Sequence, residues 1–271
     1  MSDLAQLGKP TTTRRVRRGS LILLAAIATA AVFASVLDAT GVTMLRGLPA
    51  IVVYGLTESG GPHFVPLVLV VALAVWATDP SLAPSRRRRP AGIALLLLLI
   101  TLPAAAILNE RILKPAVAAP RPSHRRLAAA GIIPNLDAFY RLDHREREPW
   151  LRGRLSEAAN ATAIASLELH PVVLRHWAHE TGYSFPSSHA MNAFAAATLL
   201  LDGALVNATP RRRRVAGIML GWAIGVCLSR VLLLVHRPLD VAAGAAAGAG
   251  LGALLLLPWW KWSLGRDQKS T

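Results

Sequence analysis

Three short stretches of the chain carry side chains suited to chemistry on a phosphate group. Lys114 is followed by Arg121-Pro122, Pro186-Ser187-Ser188-His189 comes much later, and Ser229-Arg230 precedes His236 and Asp240. Lys114, Arg121 and Arg230 supply three positive charges, and guanidinium forks match phosphate oxygens. No carboxylate cluster in these stretches balances the three, so the expected counter-charge is an anionic ligand. Ser187, Ser188 and the free N–H groups of the helix that follows them would add donors at a positive helix end.

Two imidazoles and a carboxylate complete a reaction centre. A neutral histidine attacks phosphorus if a carboxylate holds its other nitrogen. His236 and Asp240, four residues apart with Pro238 between them, suit that pair. A second, protonated histidine can pass its proton to the departing alkoxide, and His189 fits that part. Three cations neutralise the phosphoryl charge, so neither a metal nor a cofactor is expected.

Such a set works only if distant segments converge, and the composition says what brings them together. The 271 residues are 53% hydrophobic and only 17% charged, yet the net charge is +15. Apolar and basic residues must therefore sit in separate blocks. That excludes a disordered chain and points to an integral membrane protein with basic loops.

About 20 apolar residues span a bilayer as a helix. Six stretches qualify: residues 20–37, Pro62 to Thr78, 90–109, 190–209, 215–235 and 241–260. The expected fold is all-α, a bundle of six transmembrane helices with a helical periplasmic cap. Basic segments lie at Lys9 to Arg18, Arg86 to Arg89, Arg211 to Arg214, and Lys261 to Lys269 beside Trp259, Trp260 and Trp262. With six spans all four share one side, which the positive-inside rule makes cytoplasmic. Both termini are then inside, and all three polar stretches meet at the opposite face. The first span is expected to be an uncleaved anchor, because a signal peptide has a shorter apolar core.

A single membrane domain, 1–271, is expected, with a basic arm (1–19), an outer loop (110–187) and a cytoplasmic tail (261–271). The outer loop is too long for a plain connection and lacks linker composition, so it should be ordered. Leu136 to Leu142 and Trp150 to Leu167 have loose helical spacing. Gly244, Gly248 and Gly252, and Gly221 and Gly225, favour close helix packing inside the bundle over a dimer contact. Cys227 is the only cysteine, so no internal disulfide forms.

Each feature has a plainer reading. Lys114 and Arg121 could anchor a span at the interface, Ser187 could be a helix cap, and the arginine runs could bind nucleic acid. Every run abuts a span, so no nucleic-acid partner is expected, and no obligate protein partner is evident. His170, His176 and His179 lack a completing ligand for a metal and read as surface or supporting residues. Asp202 falls toward the cytoplasmic end of its span.

The ordered set Lys114-x6-Arg121-Pro122, Pro186-Ser187-Ser188-His189 and Ser229-Arg230-x5-His236-x3-Asp240 resembles the three-part signature of the type-2 phosphatidic acid phosphatase superfamily. His176 to Phe185 and Asp137 to Tyr140 are similar to its bacterial phosphatidylglycerophosphatase branch. The likeness covers most of residues 110–240. It implies a metal-independent lipid phosphate phosphatase of the bacterial inner membrane, with its site facing the periplasm. His236 would be the nucleophile that becomes phosphorylated, Asp240 its orienting partner and His189 the leaving-group acid. Lys114, Arg121, Ser187, Ser188 and Arg230 would bind phosphate. Ser188 departs from the family's usual glycine. Implied substrates are phosphatidylglycerophosphate, undecaprenyl diphosphate or related lipids. The alternatives are phosphatidate, diacylglycerol pyrophosphate or lipid A, or a non-catalytic membrane anion-binding protein.

Overall fold

A computed structural model describes residues 10–206 and 209–267, with side chains over 18–84, 91–201 and 209–255. Lys9, Lys269 and the side chains of Arg14, Arg15, Arg17, Arg86 to Arg89, Asp202, Trp259, Trp260, Lys261, Trp262 and Arg266 lie outside the described residues.

Among the described residues the chain is helical and without strands. The long elements are α1 (Pro10–Thr40), α4 (Pro84–Leu108), α11 (Ser188–Val206), α12 (Pro210–Leu232) and α13 (Pro238–Asp267). Between α1 and α4 lie α2 (Gly47–Ser59) and α3 (Val65–Ala77). Among the described residues, four stretches are long and apolar enough to cross a membrane: Arg18–Thr40, Ala91–Val117, Pro210–Leu232 and Pro238–Leu255. Val65–Ala77 and Ser188–Leu201 are apolar but shorter.

The second expected span is thus a 13-residue helix, preceded by α2, a helix the hydropathy pattern had not marked. At 1.5 Å per residue α3 extends only about 20 Å. The break between α2 and α3 falls at Gly60-Gly61-Pro62, where a Cβ on Gly60 would lie 2.6 Å from Val226. Close approach to α12 therefore demands glycine there.

α11 forms the centre of the bundle. Ala190, Ala193 and Ala195 to Ala197 are fully buried, and α12 and α13 pack on either side. A Cβ on Gly244 or Gly248 would collide with the carbonyl oxygens of Ser187 and Met191, and one on Gly252 would lie 2.8 Å from that of Ala195. These glycines serve packing within the bundle, as small residues do where helix backbones nearly touch. Gly225 likewise faces Leu56 of α2, whereas a Cβ on Gly221 would have no neighbour within 4 Å among the described residues.

The α12 N-terminus joins α3 through buried charge. The Arg212 guanidinium lies 4.2 Å over the Trp76 ring, and its Nε is 3.9 Å from Asp79. Thr209 donates its hydroxyl to Asp79 at 2.5 Å and accepts the Arg212 N–H at 3.2 Å. Burial opposes the Asp79 charge, but hydrogen bonds from Ser81 and Thr209, with Arg212 beside it, hold its pKa down to about 2.

The segment after α4 is a helical layer of its own. It contains α5 (Lys114–Val117), α6 (Pro122–Ala129), α7 (Leu136–Arg141), α8 (His144–Ser156), α9 (Ala161–Ser166) and α10 (Pro171–His179). The expected helix over Trp150 to Leu167 is interrupted at Glu157, where a 3-10 turn, Ala158–Asn160, separates α8 from α9. Leu127, Ile132, Phe139, Leu151 and Trp177 form a second core with Leu233 and Val235 from the end of α12. Trp177 also donates its indole N–H to the Leu233 carbonyl at 2.8 Å. This layer is therefore docked on the turn that carries His236.

Candidate active site

Three tight backbone arrangements carry the polar stretches into one place. α4 runs into a π-helical turn, Asn109–Leu113, and then into α5, which ends at Ala118 with φ +50°. The chain then lies alongside residues 182–184. Ser184 donates its N–H to Ala119 O at 2.9 Å, and Arg121 donates its Nε–H to Gly182 O at 2.8 Å. The Arg121 backbone N–H is held by the Tyr140 hydroxyl at 3.0 Å, which in turn meets His124 Nδ1 at 2.7 Å. Burial first, then Arg121, pushes His124 down to about 3, so this support is neutral.

After α12 the backbone turns sharply through Leu234, at φ +56°, and His236 donates its N–H back to Arg230 O at 3.2 Å. Pro238 then opens α13, as expected for a first-turn proline. Ser187 donates its N–H to Asp240 O at 3.0 Å, fastening the start of α11 to that of α13.

The structure brings His236, Arg121, Arg230 and His189 into one linked cluster. Arg121 is 2% exposed, Arg230 0% and His236 2%, so these charges are almost wholly withdrawn from water. Arg121 Nη1 donates to His236 Nε2 at 3.2 Å, and Arg121 also donates to Val235 O. A guanidinium cannot accept, so His236 Nε2 bears the lone pair and its proton lies on Nδ1. Burial, followed by Arg121 and Arg230, holds the His236 pKa well below 6.5, which keeps the imidazole neutral. Its Nδ1 faces Asp240 Oδ2 at 3.5 Å, an ion-pair distance without a hydrogen bond. Asp240 Oδ2 instead accepts the Arg237 N–H at 2.8 Å. Arg230 Nη1 lies 3.5 Å from His189 Nε2 and 3.3 Å from His176 Nε2.

The three cations, however, do not lack carboxylates. Glu180 places Oε1 2.5 Å from Arg230 Nη2 and Oε2 2.7 Å from Arg121 Nη2. Lys114 Nζ is 2.5 Å from Glu110 Oε1. The expectation of unbalanced positive charge is corrected on this point: the protein supplies internal counter-ions. Burial raises the Glu180 pKa, but Arg121 and Arg230 outweigh it and hold the carboxylate well below its usual range. A buried arginine in an apolar helix needs a partner, so Arg230 signals in sequence that an acid meets it, but not which one.

Ser188 and Ser187 also differ from expectation. The Ser188 hydroxyl accepts from Asn109 Nδ2 at 2.7 Å and donates to Glu110 at 3.0 Å, so it is committed to the π turn. Ser187 Oγ accepts the Ala190 N–H at 3.4 Å, a long helix cap. The sequence reading also passed over Glu58, whose carboxylate lies 3.4 Å from His176 Nδ1. Of the three extra histidines, His176 thus belongs to the cluster. His170 caps α10 and His179 meets Glu148 at the surface.

A family profile described as the PAP2 superfamily matches residues 92–264. Phosphatidylglycerophosphatase B of Escherichia coli K12 is 40% identical over 131 residues, which cover 48% of this chain and 46% of that protein. The protein of the same name in Shigella flexneri matches equally. Decaprenylphosphoryl-5-phosphoribose phosphatase of Mycobacterium tuberculosis is 33% identical over 123 residues, covering 42% of this chain and 63% of that relative. The chain spans about half the length of the first of these relatives.

Proposed function

This chain belongs to the PAP2 superfamily, and on that premise we propose that it is a metal-independent lipid phosphate phosphatase. The observation that carries the proposal is the convergence of Arg121 and Arg230, from distant segments, on a single anionic group flanked by His236 and His189. His236 Nε2 attacks phosphorus, and the bond from phosphorus to the lipid oxygen breaks. His189 gives that oxygen its proton. Water then attacks the phosphohistidine while His189 takes up a proton, and inorganic phosphate leaves. Asp240 keeps the His236 proton on Nδ1 and stabilises the charge that the ring acquires. Lys114, Arg121 and Arg230 hold the phosphoryl oxygens, and the Ser187 and Ser188 segment supports the start of α11.

The names of the relatives join phosphate to a glycerolipid in one case and to a decaprenyl lipid in the other. A terminal phosphate at a membrane surface is the substrate class proposed here, with phosphatidylglycerophosphate and undecaprenyl diphosphate first. The chain would cross the bacterial inner membrane six times, using α3 and α11 as short spans. The layer from α5 to α10 would form the periplasmic cap, and the basic runs would lie in the cytoplasm.

The test is phosphate release from a panel of lipid phosphates in detergent, with and without chelator. Release from one or more lipids, unaffected by chelator and lost in His236→Ala, supports the proposal. Activity that survives in His236→Ala refutes the mechanism.

A further inference from the structure

Lys114 and Glu110 are paired within one helical stretch, four residues apart. Glu180 is different. It caps the end of α10 at φ −82° and ψ 60°, outside the regular helix and outside every long apolar segment. Its two oxygens reach two guanidinia delivered by separate parts of the chain. The Nη1 atoms of those guanidinia contact the imidazoles, that of Arg121 at His236 and that of Arg230 at His189. An anion bridging the same two arginines would therefore stand between the nucleophile and the acid, in the space the Glu180 carboxylate takes.

A phosphoryl group and a carboxylate cannot share those nitrogens, since two like charges about 3–4 Å apart repel strongly in a buried site. Nor do the arginines stay bare for most of the time, because removing one partner of a buried pair leaves an uncompensated charge. The two anions must exchange. We infer that Glu180 is a tethered internal competitor: it occupies the anion seat between turnovers, yields it to the substrate phosphoryl group, and returns to displace the inorganic phosphate product. This rests on the phosphatase reading for its place in the cycle. His236 fits the same picture, since its attacking lone pair is spent on Arg121 in the resting state and becomes available only when that guanidinium turns to the phosphoryl oxygens.

A competitor and a scaffold predict opposite results. Apparent affinity for an external anion equals its intrinsic affinity reduced by the fraction of molecules with the seat free. If Glu180 leaves the seat free about a tenth of the time, Glu180→Gln tightens binding about tenfold. If Glu180 only holds the arginines in register, the same change weakens binding. The experiment is calorimetric titration of the purified full chain in detergent with inorganic phosphate, at fixed pH and ionic strength. Glu180→Gln is expected to bind about tenfold more tightly than wild type. Glu180→Asp, one methylene shorter and able to reach one guanidinium, should fall between them.

Glu58→Gln removes an equal charge from His176 while both guanidinia keep Glu180, so its gain should be under about threefold. Equal or weaker phosphate binding by Glu180→Gln overturns the inference, as does a gain in Glu58→Gln that matches it. If Glu180→Gln does not fold, the Asp variant decides, and affinity at or below wild type overturns the inference. Binding is read without turnover, so the two claims can fail separately. Tighter binding with no lipid hydrolysed would sink the proposed function alone, and hydrolysis without tighter binding would sink only this inference.

Discussion

One helix, α12, buries an arginine near each end, and the two ends behave differently. Arg212 and Arg230 are both 0% exposed and stand eighteen residues, or about 27 Å, apart along the axis. Around Arg212 the arrangement closes on itself. Trp76 covers the guanidinium, and Asp79 takes hydrogen bonds from Ser81 and Thr209 besides its ion pair. Around Arg230 the counter-ion is shared with a second arginine and comes from a loop, and two imidazoles touch the same guanidinium. A buried charge alone does not mark a reactive centre. What sets the Arg230 end apart is an anion partner shared between two arginines, with imidazole rings in contact with the same guanidinia.

The contrast can be broken at several strengths. At the Arg230 end, His236→Ala should lower turnover at least about 10³-fold and abolish trapping of labelled phosphate on the protein. Arg230→Met should reduce kcat/KM by roughly 10²–10³-fold, as loss of a transition-state charge partner does. Arg212→Met should instead keep kcat within about threefold while costing about 3–5 kcal/mol of stability, because Asp79 is left without that charge. Thermal inactivation and steady-state kinetics on both variants separate the two ends; similar kinetic losses would abolish the distinction. Gly248→Ala should cost about 1–3 kcal/mol through the clash with the Met191 carbonyl, read as a lower inactivation midpoint.

A pH profile sharpens the comparison further. Burial and the two arginines depress His236, so its charge-free form persists in mildly acidic medium and the acid limb of kcat/KM should lie below pH 6.5. Arg121→Gln removes the leading charge behind that depression and should move the limb upward. The smallest effect is expected for Ser188→Gly, within about threefold of wild type, since the hydroxyl serves Asn109 and Glu110.

Much of the candidate site was legible from residue types and order alone. His236, His189, Arg121 and Arg230 meet because helices of apolar sequence must bundle, and their polar ends then gather at one level. The sequence could not show the counter-ions. Glu180 and Glu58 lie outside the three stretches, and only tertiary packing reveals which acid reaches which base. Hydropathy also misjudged the region before α4. α2 is apolar but short and ends in Thr57, Glu58 and Ser59, so a window tuned to a full span passes over it. Thr57 nonetheless meets Ser229 at 2.7 Å, beside the buried arginine. The Ser188 hydroxyl was assigned to phosphate because the π turn that captures it leaves no trace in residue spacing.

The glycine ladder between α11 and α13 has a mechanical consequence. Two helices joined at van der Waals contact along three successive turns, and clamped at the top from Ser187 to Asp240, move as a single beam. Residues 187–189 and 240 should therefore keep a constant spacing when a ligand binds. On the proposed function, accommodation of a bulkier or slimmer headgroup would then fall to the short helices and loops of the α5 to α10 layer, and variants that alter substrate range should map there.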